Sequence, residues 1–309
     1  MGIRVGIDLG GTNIKIGLVD SDYKIVRRSS VSTGSDHSFG AVMDKIQAGV
    51  EEILAGEVPE AIGIGIPTTV LDRRIAVHTP NLDWRNCDIG AEMAKRFSNV
   101  ECAVGNDADC AALGESLAGA GRNYDNMVLL TLGTGVGGSV VYNGRVLLGD
   151  HGCGVEIGHM KVQADGEMCG CGRKGCLESY ASATAVKREI QRAAEGEEDT
   201  ILKKWVLEEK QTIGARMMFD AAAAGDAVGK RLLETYIHYL AIGVSNCVLL
   251  YRPQAIVLGG GIAAAGDTLF VPLNEQVKEL TYGAELIGCP PAVPALLGND
   301  AGIIGAAYI

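Results

Sequence analysis

Ile3-Arg4-Val5-Gly6-Ile7-Asp8-Leu9-Gly10-Gly11-Thr12-Asn13-Ile14-Lys15-Ile16-Gly17-Leu18-Val19 stands near the start of the chain, and a later stretch repeats its plan: Met127-Val128-Leu129-Leu130-Thr131-Leu132-Gly133-Thr134-Gly135-Val136-Gly137-Gly138-Ser139-Val140-Val141-Tyr142. Each reads as strand, glycine turn, strand. Ile14, Ile16 and Leu18 alternate with the spacing of a strand that buries one face. Ile7 to Thr12 aligns with Leu130 to Gly135. One device used twice predicts two related α/β domains facing each other, each giving one hairpin turn to a shared central cleft. The expected domains are a small one at 1–118, with the closing helix 298–309 packing back on it, and a large one at 119–297.

The rest of the chain fits that plan. Residues 37–55 place Val42, Ile46, Val50, Ile53 and Leu54 on one side of a helix. Ala61 to Ile66 reads as a short buried strand that ends at Pro67. Residues 180–250 read as mostly helical, with a charged, solvated stretch at 193–200. Ala255 to Leu258 reads as a strand, followed by Gly259-Gly260-Gly261 and a helix. A chain of 309 residues, 47% of them hydrophobic, can fill two modest cores, and its 43 glycines suit many tight turns. A net charge of −11 excludes a nucleic-acid surface, which needs a basic patch. No apolar run reaches the length of a membrane span, and no signal peptide is seen ahead of the first strand. A cytoplasmic protein is expected. Cys87, Cys102, Cys110, Cys153, Cys247 and Cys289 are scattered without a pairing pattern and are expected to be reduced.

The other three cysteines are not scattered. Glu156-Ile157-Gly158-His159 is followed by Cys169-Gly170-Cys171-Gly172-Arg173-Lys174-Gly175-Cys176-Leu177-Glu178, the pattern H-x9-C-x-C-x4-C. Three thiols and an imidazole make a closed tetrahedral zinc set. The intervening glycines let a short loop fold back on one ion. Buried core cysteines would read the same residues differently, but they do not usually come in a glycine-rich, basic loop; a disulfide is disfavoured because the composition looks intracellular.

The two turns suit an anion. Glycine amides approach phosphate oxygens without side-chain obstruction, and Thr12 and Thr134 add hydroxyls. Asp8, at the end of the first strand, can hold Mg²⁺ through water. Each turn alone could equally be an ordinary hairpin. Gly133, Gly135 and Gly138 match the dinucleotide fingerprint, yet a strand follows where that motif needs a helix, which disfavours a nicotinamide oxidoreductase. Val104-Gly105-Asn106-Asp107-Ala108-Asp109 puts an amide and two acids after a strand. Asp107 there can accept a proton from a hydroxyl that attacks phosphorus, while Asn106 offers a donor and an acceptor. Asn-Asp is also a common turn or cap pair, and Asp109 is read as capping a helix Cys110–Ala118.

Asp8-Leu-Gly-Gly-Thr-Asn-Ile-Lys15, Asn106-Asp107, Leu132-Gly-Thr-Gly135, Glu156-Ile-Gly-His159, Cys169 through Glu178 and Gly259-Gly-Gly261 together resemble the ROK family (repressor, open reading frame, kinase), within it the bacterial glucokinase and allose kinase type. The resemblance runs over essentially the whole chain, and the cysteine cluster is its most specific part. It implies an actin-like, ribonuclease-H-type fold in which ATP and a hexose meet, with Asp107 as base for the 6-hydroxyl. It implies sugar contacts from Asn106, Asp107, Glu156, His159 and Glu178, and zinc on His159, Cys169, Cys171 and Cys176. Asp8, Gly10, Gly11, Thr12, Lys15, Gly133, Thr134 and Gly135 would surround the phosphates of ATP, with Gly259, Gly260 and Gly261 on the adenosine side. A homodimer is implied as well. Repressors of the family carry a helix-turn-helix ahead of the first hairpin, for which a hairpin starting at residue 3 leaves no room.

One departure bears on the sugar. The family's glucokinases usually read Gly-x-Pro-Gly where this chain has Gly65-Ile66-Pro67-Thr68-Thr69. The segment Asp72 to Leu82, through Pro80, is similar to allose kinases. D-Glucose and D-allose are thus both expected substrates, with an N-acetylmannosamine kinase or a non-catalytic sugar sensor as alternatives.

Overall fold

The computed structural model describes residues 2–79 and 81–309, so Pro80 of the allose-kinase-like segment lies outside the described residues. The chain divides into two compact units. The first comprises Met1–Leu129, Ser139–Val155 and Leu296–Ile309; the second comprises Leu130–Gly138 and Glu156–Ala295.

The first unit opens with β1 (Arg4–Leu9), β2 (Asn13–Val19) and β3 (Ile25–Ser32), then α1 (Phe39–Leu54) and β4 (Ala61–Ile66). A small three-stranded sheet follows, β5 (Val70–Leu71), β6 (Ile75–Thr79) and β7 (Trp84–Asp88). Then come α2 (Ile89–Arg96), β8 (Glu101–Asn106) and α3 (Asp107–Ala118). The main sheet has the order β3-β2-β1-β4-β8. Its first three strands are antiparallel, and β1, β4 and β8 are parallel. Strand alternation sends Val5, Ile7, Leu9, Ile14, Ile16, Leu18, Ile62 and Ile64 into one core, where Val42, Ile46 and Val50 of α1 meet them. The helix α3 begins at Asp107, three residues earlier than expected.

β9 (Met127–Leu132) and β10 (Val136–Tyr142) flank the second glycine turn, and β11 (Arg145–Val146) follows; only Leu130–Gly138 of this stretch belongs to the second unit. Gly138, read from sequence as part of the turn, lies within β10. There a Cβ would come 2.9 Å from Ile157, so the glycine serves packing. Helices α4 (Glu178–Ala181), α5 (Ala183–Glu195), α6 (Ile201–Lys203), α7 (Arg216–Ala223) and α8 (Ala227–Tyr251) precede β12 (Ala255–Gly259); α9 (Asp267–Leu280), α10 (Ala284–Ile287) and β13 (Ala292–Pro294) come after it. The second sheet runs β11-β10-β9-β12-β13. Contrary to the sequence expectation, α8 is by length and composition long and apolar enough to cross a membrane; half of its most apolar window is buried within the protein.

The last helix, α11 (Asp300–Tyr308), belongs to the first unit and covers the sheet face opposite α1. Gly17, Gly6 and Gly63 stand in register across β2, β1 and β4. They form a side-chain-free row on which the helix backbone rests. A Cβ on Gly6 would fall 1.8 Å from Ile303 O, and one on Gly63 1.7 Å from Ala306 O. Gly114 of α3 and Gly305 of α11 are equally close to opposing carbonyls, at 2.1 and 1.6 Å. The chain entering α11 is held by Glu115, almost fully buried, whose carboxylate accepts the Leu296 and Leu297 amides at 3.0 and 2.8 Å. Gly63→Ala is predicted to lower stability by about 2–3 kcal/mol, the cost of overpacking a tight contact. Gly40→Ala, in α1 with nothing within 4 Å of its Cβ, should be neutral or stabilising. Thermal unfolding of the two variants beside the parent checks this; equal melting temperatures would remove the glycine row from the account.

Candidate active site

In the first unit the parallel strands end together, and ligands of α/β sheets bind at such carboxyl ends. Asp8 on β1 pairs with Gly65 on β4, and Ile66 pairs with Asn106, the last residue of β8. Four residues singled out from sequence, Asp8, Gly65, Asn106 and Asp107, therefore sit along one sheet edge. Three of them, Asp8, Gly65 and Asp107, lie about Cys110. Its Sγ is 3.1 Å from a Cβ built on Gly65. Burial pushes its thiol well above the usual range, and the charges of Asp109, Asp107 and Asp8 push it further. Asp107 is exposed at the first position of α3, with one carboxylate oxygen accepting the Ala108 amide at 2.8 Å.

The cap of α3 is Asn106, not Asp109. The Asn106 Oδ1 accepts the amides of Ala108 and Asp109 at 2.8 and 3.3 Å, and its Nδ2 donates to Thr68 O at 3.0 Å. One amide hydrogen of Asn106 is left for a ligand. Asp109 is instead buried and accepts from Ser139 Oγ at 2.6 Å. Its helix position, third rather than preceding the first turn, rules out the capping geometry. The Thr68 hydroxyl donates to His78 O at 2.5 Å and accepts the His78 amide at 3.3 Å. Its only proton thus braces β6, and toward a ligand Thr68 offers a methyl and a lone pair.

The first glycine turn is held by itself and by Thr33. Gly10 N–H donates to Asn13 O at 3.0 Å. The buried Thr33 donates its hydroxyl to Gly10 O at 2.9 Å and its amide to Thr12 O at 2.9 Å. Gly11 packs beside Asn81. Lys15 lies 3.5 Å from Asp8 across the β1–β2 register. Thr33 was not legible as a turn brace, since it is remote in sequence and carries no motif.

The second unit collects the remaining residues. Gly133 N–H closes its own turn on Gly135 O at 3.0 Å. Three further bonds fasten the turn to the segment after the cysteines: Ala183 N to Gly133 O at 2.8 Å, Thr184 Oγ1 to Thr134 O at 2.7 Å, and Val136 N to Glu178 Oε2 at 3.0 Å. Gly260 lies beside the same turn. Its φ of +87° and the 2.4 Å from its would-be Cβ to Leu132 O both demand glycine. A cavity of about 340 Å³ opens next to Gly261, lined by Arg216, Phe219, Asp220, Ile262 and Thr268 among others. The sequence reading did not single these out, because α7 carries no motif.

His159, Cys169, Cys171 and Cys176 come together as anticipated, all four ligand atoms within 4.8 Å of one another. Cys171 and Cys176 sulfurs are 3.7 Å apart, and Cys169 Sγ is 3.7 Å from His159 Nδ1. Tetrahedral zinc with Zn–S bonds of about 2.3 Å spaces its sulfurs about 3.8 Å apart, so the donor set fits the ion. Gly172 and Gly175, at φ +80° and +78°, make the loop's reversals. The Lys161 ammonium donates to Cys176 Sγ at 3.0 Å. Leu177 N–H donates to Met160 O at 2.8 Å, which holds the histidine segment against the cysteine segment. His159 N–H donates to Glu156 O at 3.0 Å, so Glu156 stays next to the cluster. With Nδ1 facing the Cys169 sulfur, Nε2 is the ring nitrogen on the other side.

Comparison with known proteins identifies the family and the fold. Residues 4–309 match the ROK family. A glucokinase of Thermotoga maritima is 37% identical over 308 residues, covering 99% of this chain and 96% of its own. The crystal structure of a ROK family glucokinase from Streptomyces griseus in complex with glucose and AMPPNP superposes with a TM-score of 0.80 at 32% identity, covering 99% of this chain and 98% of that one. The ROK hexokinase of Thermus thermophilus gives 0.85 at 31%, covering 99% and 96%. The fold is the actin-like, ribonuclease-H-like α/β fold of these sugar kinases, and the chain belongs to the ROK family.

Proposed function

We propose that this protein is a cytoplasmic, ATP-dependent hexose kinase that phosphorylates the 6-hydroxyl of D-glucose. The observation that carries the reading is Asp107, exposed at the head of α3 and at the end of a parallel strand, beside Asp8 and Gly65. Similarity to glucokinases over nearly the full chain supports it. Asp107 takes the proton of the sugar hydroxyl as its oxygen attacks the γ-phosphorus and the bond to ADP breaks. Asn106, with one amide hydrogen left, and Glu156, His159 and Glu178 hold the sugar hydroxyls. Thr12, Thr134 and the turn glycines hold phosphate, while Lys15 brings positive charge beside Asp8. The cavity next to Gly261 suits a nucleoside base, since Phe219 and Ile262 offer apolar surface, Arg216, Asp220 and Thr268 offer polar groups, and its volume is within the usual size of ligand pockets. Asp8 would hold Mg²⁺ through water, and the ion would supply charge neutralisation at the phosphates. His159 and the three cysteines would hold zinc, and the ion would fix the ring orientation of His159. A homodimer is part of the reading, and sedimentation should give twice the chain mass of 32.3 kDa.

D-Allose stays as a second substrate because Thr68 stands where family glucokinases usually carry glycine. Coupled ADP release measured with glucose, allose, mannose and N-acetylmannosamine separates the substrates. Release with none of them, alongside measurable sugar binding, would favour a non-catalytic sensor. Asp107→Asn keeps the shape but cannot accept the proton, so kcat is expected to fall at least ~100-fold while sugar binding changes far less; near-normal turnover removes Asp107 from the role.

Elemental analysis of protein purified without chelators should find about one zinc per chain, as one four-ligand set requires. Cys171→Ser is expected to lose zinc and sugar binding together, because His159 and both glutamates share the loop. A zinc-free native protein with full sugar affinity would overturn the metal assignment.

A further inference from the structure

Glu178 touches two things at once. Its Oε1 lies 3.4 Å from Cys169 Sγ, and its Oε2 accepts the Val136 amide at 3.0 Å. The second oxygen lies so close to the glycine turn that a Cβ on Gly135 would come within 2.3 Å of it. The helix bearing Glu178 grows directly out of the cluster: Ser179 N–H donates to Cys176 O at 3.0 Å. The same short segment then supplies Ala183 and Thr184, the other two fasteners of the turn. Nine residues, Cys176 to Thr184, thus begin at a metal ligand and end on the phosphate turn.

The segment is stiff enough to transmit a displacement. Cys176, Leu177, Ser179, Ala181 and Ser182 are buried. Leu177 packs so tightly on α8 that a Cβ on Gly243 would fall 2.7 Å from its methyl carbons. Tyr236 donates to Ala181 O at 3.1 Å, and Ser182 Oγ caps α5 through the Ala185 amide at 3.0 Å. Densely packed elements shift as units instead of deforming locally.

We propose that Cys176–Thr184 couples the metal cluster to the second glycine turn, with Glu178 as a positioning residue, so that metal in the cluster tightens nucleotide binding at that turn. The nucleotide half of this statement rests on the kinase reading above. Linkage makes the effect reciprocal: nucleotide must tighten metal retention by the same factor.

The test uses the full-length protein with no sugar present. ADP affinity is measured by calorimetry on zinc-loaded and chelator-stripped protein, and amide hydrogen exchange at residues 133–136 is followed in both forms. ADP should bind about five- to tenfold more weakly after stripping, the scale of one or two lost hydrogen bonds. Exchange at 133–136 should quicken while β12 stays protected. In Glu178→Ala the difference in ADP affinity between the two forms should shrink below about twofold; Thr184→Val, outside the cluster, should shrink it partly. Equal exchange at 133–136 in the loaded and stripped forms overturns the coupling, as does loss of protection throughout the second unit, which would make the metal a prop of the whole unit. If exchange responds as expected but zinc-loaded protein binds no ADP, the coupling stands and the nucleotide reading falls.

Discussion

Backbone meets backbone where α11 lies on Gly6 and Gly63, with Gly17 beside them receiving the Ile303 side chain, and the rest of the first unit depends on that contact. A helix can approach a sheet this closely only where side chains are missing. Strand alternation then requires the other face to carry the bulk, and it does: Val5, Ile7, Leu9, Ile62 and Ile64 fill the core under α1. One sequence pattern, isoleucine alternating with glycine, therefore sets both faces of the sheet. Because β1, β4 and β8 are parallel, their reactive ends fall on one edge. Asp8, Gly65 and Asn106–Asp107 are neighbours for that reason, although up to ~100 residues of sequence separate them.

The second unit reaches order by a different route. Its functional loop has no long run of secondary structure, so polar groups and a metal-ligand set hold it. The turn at Gly133 to Gly135 is tied down by a carboxylate, an amide and a hydroxyl, all supplied by one segment that starts at Cys176. Such a network is worth more complete than in parts, because each unmet buried group is costly. That gives a physical reason for a metal-ligand cluster to stand so near the second glycine turn.

Much of this was legible in the sequence because it was periodic or clustered. Ile14, Ile16 and Leu18 announced a strand by alternation, Val42 to Leu54 announced α1, and the histidine with three cysteines announced a metal set by donor type. What escaped was long-range or ambiguous locally. Thr33 braces the first turn from 21 residues beyond Thr12, and nothing in its own neighbourhood says so. Asp109 was read as a cap since Asp is a common one, but Asn106 already met the free amides, which left Asp109 to pair with Ser139 inside the core. That the Thr68 hydroxyl donates to His78 O is equally invisible in its own neighbourhood. Side-chain hydrogen bonds of this kind are decided by the fold, and a single sequence does not carry them.

The central claim is that this architecture moves a phosphoryl group from ATP to the 6-oxygen of a hexose. The most direct measurement is phosphorus NMR of protein incubated with Mg-ATP and D-glucose, with coupling from phosphorus to sugar protons used to locate the new ester. The account predicts ADP and a single sugar phosphate whose phosphorus couples to the two protons on carbon 6. A phosphate on the anomeric oxygen, or ATP left intact while the sugar binds, would contradict it.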